Sequence, residues 1–354
     1  MFLTFSLNIL CLIRCLLKQL REAQYFMKDI STSEQIREMA YSFQESRVLL
    51  SAIELKIFSI LDKHMMKSGE VAEKIKCNER ATDRLLNALC GMGLLKKVKG
   101  RFYNTDLSYK YLVEGNSDFM GSLYHTNHLW NTWNFLTESV KQGSAFKGDQ
   151  NKKEKEDWVE AFIGAMHYRG VKQARIIAAM LDLEDVKKML DIGGGSAAFS
   201  MELVKKNPAV QATVVDLPHV IPLTKKYVER ESLSNNFSFI EGNYLSDDFG
   251  SGYDLILLSA IIHINNYEQN KELIGKCAAS LNKNGKIIIS DFVMNEDRAA
   301  PHYGTLFALN MLVGTECGDT YTENEMKEWM TSAGLSNIER KNTSFGSDLI
   351  IGTK

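Results

Sequence analysis

The chain has 354 residues, of which 45% are hydrophobic and 24% charged, and its formal net charge is −2. These values are typical of an ordinary folded protein and exclude a disordered, collagen-like or multi-span membrane chain. The length predicts about two domains, and the near-zero charge gives no field that favours nucleic acid or an anionic surface. Six cysteines form neither a CxxC pair nor a zinc spacing, which predicts reduced thiols, no metal site and a cytoplasmic location.

Residues 1–26 are predicted to be an extension outside the folded domains. The first 13 residues are mostly apolar, and Arg14 ends the run too early for a membrane-spanning helix. A signal peptide needs positive charge before its apolar run and a small-residue cleavage site after it, and neither is present. We interpret the segment as an upstream start or a frayed extension before Met27. A lone helix that packs on a partner or weakly on a membrane is the alternative.

Residues 27–113 are predicted to form a helical domain with a winged-helix pattern. Apolar side chains cover nearly every face of residues 48–61, and a helix that is apolar all round is buried on all sides. In a small domain this predicts burial by a second subunit, and therefore a homodimer. This segment is followed by two short helices, a glycine break at 91–93 and a hairpin with Gly100 at its turn. Residues 66–113 hold ten Lys or Arg against five Asp or Glu, so DNA binding is the alternative to a dimerisation module.

Residues 114–157 are predicted to connect two domains and to contribute to a substrate pocket. Several aromatic and imidazole side chains crowd one short span, namely Tyr124, His125, His128, Trp130, Trp133 and Phe135. Such a cluster is either plain core or the lining of a pocket for an aromatic ligand, and the sequence leaves both interpretations open. The charged run at 149–157 is expected to be a solvated connection.

Residues 158–354 alternate predicted strands and helices, which implies a parallel, doubly wound α/β sheet. The predicted strands cover 186–192, 212–216, 237–241, 253–259, 285–292 and 349–351. The predicted helices cover 158–183, the segment from the glycine loop to Lys206, 218–233, 267–281 and 322–333.

The loop after the first of these strands indicates the cofactor. The sequence LDIGGGSAA at 190–198 also fits the dinucleotide pattern GxGxxG/A through Gly193 and Gly195. A carboxylate at the strand tip would repel a pyrophosphate, so Asp191 favours a ligand with an ammonium group, such as S-adenosylmethionine. Asp216, at the tip of the next strand, suits the two hydroxyls of a ribose, and a helix cap is the alternative role.

The ordered motifs of this domain resemble the class I S-adenosylmethionine-dependent O-methyltransferases. The motifs are LDIGGGSAAFS, VVDLPHVI, EGNY, YDLILLSAIIH and GKIIISDFV. More narrowly, the chain resembles the caffeic acid and acetylserotonin O-methyltransferase type and its bacterial relatives over residues 31–354. The resemblance implies a Rossmann-like α/β sheet with an N-terminal winged-helix dimerisation domain. It also implies S-adenosyl-L-methionine as cofactor, a small, aromatic or polycyclic hydroxyl substrate, and no required metal.

The resemblance further implies which residues hold the cofactor. Asn243 stands where the family has an aspartate near the adenine, and its side-chain oxygen still accepts a hydrogen bond. Ser259 replaces a lysine of plant members, and Met166 resembles the methionine near the transferred methyl group. The full implied set is Asp191, Gly193, Gly195, Asp216, Leu217, Gly242, Asn243, Tyr244, Ser259 and Met166.

The resemblance also implies that His263 is the general base. The family's His-Asp-Trp motif is His-Ile-Asn at residues 263–265, so the histidine is kept and its neighbours differ. A neutral imidazole accepts the proton of a hydroxyl while the methyl group is transferred, and a core histidine is the alternative. Plant members add two glutamates, of which the first matches Asp291. The second falls near Thr320, which lacks a carboxylate, and Glu316 is the expected replacement.

The pocket for the acceptor is expected at Trp130, Phe162, His167, Asn310 and Met311. The ordered motifs and the residues that the resemblance implies together predict an S-adenosylmethionine-dependent O-methyltransferase of a small molecule. The altered His-Ile-Asn motif leaves open a relative that methylates carbon or nitrogen, or none. The basic winged-helix segment at 66–113 leaves open a DNA-binding regulator with a metabolite-sensing domain. We expect no nucleic-acid partner and no firm membrane association.

Overall fold

A computed structural model describes residues 30–146 and 154–354 of the chain. The predicted extension 1–26 and residues 149–153 of the charged run therefore lie outside the described residues. The chain divides into two compact units, of which one ends at Arg47 and the other runs from Val48 to Lys354. Within the described ranges, none of the helices combines the length and the apolar character needed to cross a membrane.

The described part of the first unit contains helix α1 (Ser33–Tyr41) and the start of α2 (Phe43–Glu54). The Thr32 hydroxyl accepts from the Gln35 N–H at 3.2 Å and the Gln35 side chain accepts from the Thr32 N–H at 3.1 Å, a reciprocal cap that satisfies two N–H groups. More than half of the surface of each of four large apolar side chains is exposed, namely Ile36, Met39, Tyr41 and Phe43. Such a concentration of exposed apolar groups indicates an interaction surface.

The second unit begins with a helical layer that a hairpin closes. Its elements are α3 (Ile57–Leu61), α4 (Ser68–Ile75), α5 (Glu79–Gly91), β1 (Leu95–Val98), β2 (Arg101–Asn104) and α6 (Asp106–Leu112). Strands β1 and β2 pair antiparallel, and Gly100 at their turn has a φ of 76°. The predicted hairpin is therefore confirmed.

The apolar segment 48–61 forms two helices rather than one. They are separated at Lys56, whose φ of 55° lies in the left-handed region. The buried side chains of the segment, which include Ile53 and Phe58, pack within the chain against residues such as Leu86. Helices α4–α6 and the hairpin of the same chain therefore bury much of this segment, as predicted. Val48, Leu49, Leu55 and Ile60 are only half-buried, and burial of the segment by a second subunit stays a prediction.

Three helices lead to the sheet: α7 (Ser122–Trp133), α8 (Leu136–Gln142) and α9 (Glu154–Met180). Helix α9 includes the last four residues of the charged run, 154–157, so that part of the run is helical and not a loop. Its carboxyl end packs against the sheet through Ile177 and Ala178.

The rest of the unit is a seven-stranded sheet with helices between its strands. The elements are β3 (Lys188–Ile192), α10 (Ala198–Lys206), β4 (Gln211–Asp216), α11 (Ile221–Arg230), β5 (Phe237–Glu241), β6 (Tyr253–Ser259), α12 (Tyr267–Ser280), β7 (Leu281–Asp291), β8 (Val293–Met294), α13 (His302–Gly314), β9 (Tyr321–Thr322), α14 (Glu323–Ser332), β10 (Ser336–Lys341) and β11 (Asp348–Thr353). The strand order in the sheet is β10-β11-β7-β6-β3-β4-β5, and β8 and β9 form a separate parallel pair. The five strands from β7 to β5 are parallel, and β11 and β10 join antiparallel at one edge.

Alternate side chains of the central strands enter two different cores, as the period of a strand requires. In β3, Leu190 packs with α12 and α14 on one face, whereas Met189 packs with α9 and α10 on the other. The chain runs outward from β3 to β5 and returns to β6 on the other side of β3. This topological switch places the carboxyl ends of β3 and β6 side by side, which is where ligands bind in open α/β sheets.

Candidate active site

The glycine loop after β3 is a tight turn with no room for side chains at Gly193 and Gly194. Gly193 and Gly195 have φ of 61° and 56°, a region that glycine enters without strain. A Cβ atom at Gly193 would overlap the side chain of Ile261, and one at Gly194 would lie 2.8 Å from Asp191 Oδ2. The loop therefore presents bare backbone at the edge of the sheet, as the sequence predicts.

Asp216, the last residue of β4, accepts hydrogen bonds from three loops. Its Oδ2 accepts from the Gly195 N–H at 2.8 Å, and its Oδ1 accepts from the Leu217 N–H at 2.7 Å. Its backbone oxygen accepts from the Gly242 N–H at 3.0 Å. Burial raises the pKa of this carboxyl above its ordinary range, and the two N–H groups oppose that effect. Each carboxylate oxygen keeps a lone pair for a further donor.

Asp191 is buried behind the glycine loop and is only 2% exposed. The Ser200 hydroxyl of α10 donates to its Oδ2 at 2.6 Å. Burial raises the pKa of the carboxyl to about 7, and the negative charge of Asp216 adds to the rise. A carboxyl in this state loses its proton readily when a cation binds nearby.

The turn after β5 carries Asn243 and Tyr244. The Asn243 side-chain oxygen, which was expected to meet an adenine, accepts from the Leu245 N–H at 3.0 Å and keeps one lone pair. The Tyr244 hydroxyl donates to Asn265 Oδ1 at 3.1 Å, and burial raises the pKa of Tyr244 to about 12. Ser259, the last residue of β6, is half-buried.

His263 and Asp291 form a buried side-chain pair. Nδ1 of His263, in the 3-10 helix Ile262–Ile264 after β6, lies 2.9 Å from both Asp291 oxygens. The Phe292 N–H also donates to Asp291 Oδ1 at 2.8 Å. Because an ionised carboxylate only accepts, Nδ1 carries the hydrogen and Nε2 keeps its lone pair. Phe307 stands edge-on against the imidazole, with ring centroids 4.9 Å apart.

The loop after α13 lies against the backbone of His263, because the Asp319 N–H donates to the His263 oxygen at 3.0 Å. Glu316 of this loop is exposed, and within the described part of the chain its carboxylate makes no hydrogen bond or ion pair. Glu316 and Asp319 both line a cavity of about 340 Å³ between α13, this loop and the end of α8. Asp319 stands one residue before Thr320, the position at which the resemblance implies a second carboxylate.

Helices α7 and α13 are joined by a side-chain hydrogen bond that involves Asn310, one of the residues predicted to line the acceptor pocket. The Trp133 Nε1–H donates to Asn310 Oδ1 at 3.0 Å. Met311, next to Asn310, is buried, and Trp130 is half-buried. The Asn310 amide oxygen is therefore already engaged within the chain.

Helix α9 carries three of the predicted residues, and one of them, His167, contacts Ser196 of the glycine loop. Nδ1 of His167 is hydrogen-bonded to the Ser196 hydroxyl at 2.9 Å, and its ring stacks on Tyr227 at 4.2 Å. Burial lowers the pKa of His167. Met166 is half-buried, and Phe162 stands edge-on against His125 at 5.1 Å.

Two family models match the chain. Residues 142–336 match the O-methyltransferase domain, and residues 37–114 match the O-methyltransferase dimerisation domain. The second match favours dimerisation over DNA binding for the basic winged-helix segment at 66–113.

Named relatives and solved structures agree with these models. A 3-hydroxy-5-methyl-1-naphthoate 3-O-methyltransferase of Streptomyces sahachiroi is 30% identical over 86% of this chain and 89% of its own length. Acetylserotonin O-methyltransferase of Gallus gallus is 26% identical over 92% of this chain and 99% of its own. The fold matches that of PigF with SAH (TM-score 0.84, 23% identity, 92% and 100% covered). It also matches human N-acetylserotonin methyltransferase in complex with SAM (TM-score 0.79, 24% identity, 93% and 99% covered).

The edge of the sheet fits the cofactor that these matches indicate. The side-chain-free glycine loop admits a ligand close to the backbone, the carboxylate of Asp216 keeps acceptor capacity for hydroxyls, and that of Asp191 lies beside the loop. The predicted α/β methyltransferase fold is confirmed. The chain belongs to the O-methyltransferase family, and it is a methyltransferase whose cofactor is S-adenosyl-L-methionine.

Proposed function

We propose that this protein methylates a hydroxyl of a small aromatic or polycyclic molecule, with His263 as the general base. The observation that carries the proposal is the His263–Asp291 pair, since it leaves Nε2 free to accept a proton. When bound, S-adenosyl-L-methionine supplies an activated methyl group on a sulfonium. His263 takes the hydroxyl proton at Nε2 as the oxygen forms its new bond to carbon. Asp291 fixes the ring and stabilises the imidazolium that results.

The carboxyl ends of β3, β4 and β5 hold the cofactor in this proposal. Asp216 accepts hydrogen bonds from the ribose hydroxyls, and Asp191 pairs with the ammonium group. Leu217 and the turn with Asn243 flank the adenine. The remaining members are those of the implied set, namely Gly193, Gly195, Gly242, Tyr244, Ser259 and Met166. These residues together orient the cofactor, because alignment of the reacting atoms supplies much of the rate enhancement in such a reaction.

The acceptor binds among helices α7, α9 and α13 in this proposal, near Trp130, Phe162, His167, Asn310 and Met311. Half-buried aromatic side chains favour a flat apolar ligand. Relatives that are named for a naphthoate and for acetylserotonin support an aromatic acceptor. Glu316 is the proposed second carboxylate at the site, and Asp319 is its competitor because its backbone already contacts His263.

The protein acts as a homodimer in this proposal. The match to a dimerisation domain over residues 37–114 supports it. Met39, Tyr41 and Phe43 lie in that range with their apolar side chains more than half exposed. A second copy of the chain would remove this apolar surface from water.

The experiment is a transfer assay with methyl-labelled cofactor against a panel of phenols, amines and carbon acids. Wild type should label a phenol, and the product should carry the label on oxygen. His263→Ala should fail on the same acceptor. Label on nitrogen or carbon, or full turnover by folded His263→Ala, would contradict the proposal.

A further inference from the structure

Asn265, the third residue of the His-Ile-Asn motif, sits in a chain of buried side-chain hydrogen bonds. The Tyr244 hydroxyl donates to Asn265 Oδ1 at 3.1 Å, and Asn265 Nδ2 donates to Asn270 Oδ1 at 3.0 Å. Asn270 Nδ2 then donates to the Ile262 backbone oxygen at 2.8 Å. The chain thus runs from the turn after β5 to the peptide that precedes His263.

The first member of this chain lies against the cofactor edge. A Cβ atom at Gly193 would lie 3.8 Å from Tyr244 Cε1, so the tyrosine ring borders the glycine loop. The backbone of the turn is held separately, because Lys276 Nζ donates to the oxygens of Tyr244, Leu245 and Asp247 at 2.8, 3.1 and 3.0 Å. The Tyr244 hydroxyl is therefore not needed to keep the turn in place.

The other members are almost completely enclosed. Asn265 is 3% exposed and Asn270 is 0% exposed, and the Tyr321 hydroxyl donates to the Asn265 backbone oxygen at 2.6 Å. A buried polar network that is satisfied specifies one arrangement of its members, because any other leaves an unpaired group.

We propose that Tyr244, Asn265 and Asn270 are positioning residues that couple occupation of the cofactor site to the alignment of His263. A ligand at the glycine loop fixes the Tyr244 ring, and the hydrogen-bonded chain transmits that order to the turn that carries the base. Affinities for cofactor and acceptor are then linked reciprocally. The inference rests on His263 as base, as proposed above.

The test reads the His263 ring directly, so it needs no acceptor. Histidine-labelled protein is titrated with S-adenosylhomocysteine, and the His263 ring resonances, assigned with His263→Ala, are followed by NMR. In wild type the ligand should shift these resonances. Tyr244→Phe keeps the ring that borders the glycine loop and removes only its hydroxyl, so the ligand should bind within about threefold of the wild-type affinity, yet at least half of the shift should be lost. Turnover on a labelled acceptor should fall roughly tenfold, the size expected for one buried hydrogen bond, with little change in the cofactor KM.

Tyr253→Phe is the matched control. Tyr253 is also a buried tyrosine of the same core. Its hydroxyl donates to the Phe249 backbone oxygen at 2.6 Å and takes no part in the hydrogen bonds that join Tyr244, Asn265 and Asn270. This variant should keep the full His263 shift and the wild-type turnover. Asn265→Leu should reproduce the Tyr244→Phe loss, and the double variant should lose no more than Asn265→Leu alone, because both act through one chain.

Three results would overturn the inference. They are an absent His263 shift in wild type, an undiminished shift in Tyr244→Phe, and an equal loss in Tyr253→Phe. Failure of the proposed function would give a different result. Folded His263→Ala would then keep full turnover, while Tyr244→Phe would still reduce the ligand-induced shift of the His263 resonances.

Discussion

Nδ1 of His263 is 2.9 Å from both oxygens of Asp291 although the two residues are 28 positions apart in the sequence. They follow or end neighbouring parallel strands, β6 and β7, so the fold brings them to the same edge of the sheet. The contact fixes the hydrogen on Nδ1, and it leaves Nε2 as the only ring atom that can accept a proton. The arrangement is that of a base with its orienting group.

His263→Ala should lower turnover by about 10²–10⁴-fold, the usual effect of losing a positioned base. The affinity for S-adenosylhomocysteine, measured by calorimetry, should change little because the cofactor loops remain intact. Full activity in the folded variant would make His263 a structural residue.

Asp291→Ala should cost less than His263→Ala, because Asp291 orients the base and does not take the substrate proton. A loss of roughly 10-fold to 10²-fold is expected from a misaligned base. The control is Asp254→Ala, which removes a carboxylate that accepts the Lys187 and Lys188 N–H groups near the start of β3. Equal losses in the two variants would show that Asp291 only supports the fold.

The central strands could be predicted closely because they are buried on both faces and end at clear breaks. The predicted bounds 253–259 match the central strand β6 without change, and 237–241 match β5, an edge strand that is only partly buried. By contrast, β10 (Ser336–Lys341) was not predicted, since its exposed, polar sequence gives no apolar alternation at the edge of the sheet. The break at Lys56 was also missed, because lysine is not a residue that indicates a left-handed turn.

In the candidate site, too, residues that follow a local sequence pattern could be predicted, whereas contacts made by tertiary packing could not. The glycine loop and Asp216 follow strands and could be located from the sequence. The bond between Tyr244 and Asn265 could not, because it joins residues 21 positions apart through the packing of α12 on the sheet. The engagement of Asn310 by Trp133, 177 positions away, is likewise visible only in three dimensions.

Asp216→Ala should weaken cofactor binding by about 1–3 kcal/mol, the free energy of charge-assisted hydrogen bonds to a hydroxyl pair. Part of the loss should come from the glycine loop, since the variant also frees the Gly195 N–H. Calorimetry with S-adenosylhomocysteine measures the effect, and Asp254→Ala again serves as the control at the opposite edge of the sheet. Unchanged affinity in folded Asp216→Ala would remove Asp216 from the proposed site.

Light scattering should give a dimer at micromolar concentration, and Met39→Glu should shift the equilibrium toward monomer. The reason is that a charge at a buried apolar contact must be desolvated. Val140→Glu is the matched control, because both side chains are 60% exposed but Val140 lies outside the dimerisation match at 37–114. A wild-type monomer, or equal dissociation in the two variants, would contradict the proposed interface.

Cofactor affinity should increase as the pH rises from about 5 to 7, in the range where an α-amino group stays protonated. Burial raises the pKa of Asp191 to about 7 in the free protein, so this carboxyl carries a proton at lower pH. A ligand ammonium group prefers the ionised carboxylate, and binding must therefore expel that proton. Each pH unit below the raised pKa should weaken binding by up to about tenfold.

Calorimetry in buffers of different ionisation enthalpy measures both the affinity and the proton released. Asp191→Asn should bind more weakly at neutral pH, and it should show neither the slope nor the proton release, because its amide does not titrate. Ser200→Ala removes the donor that stabilises the ionised form, so it should move the midpoint of the pH dependence upward. A wild-type affinity that is flat between about pH 5 and 7 would mean that Asp191 does not meet the ammonium group, and its burial would then serve only the glycine loop.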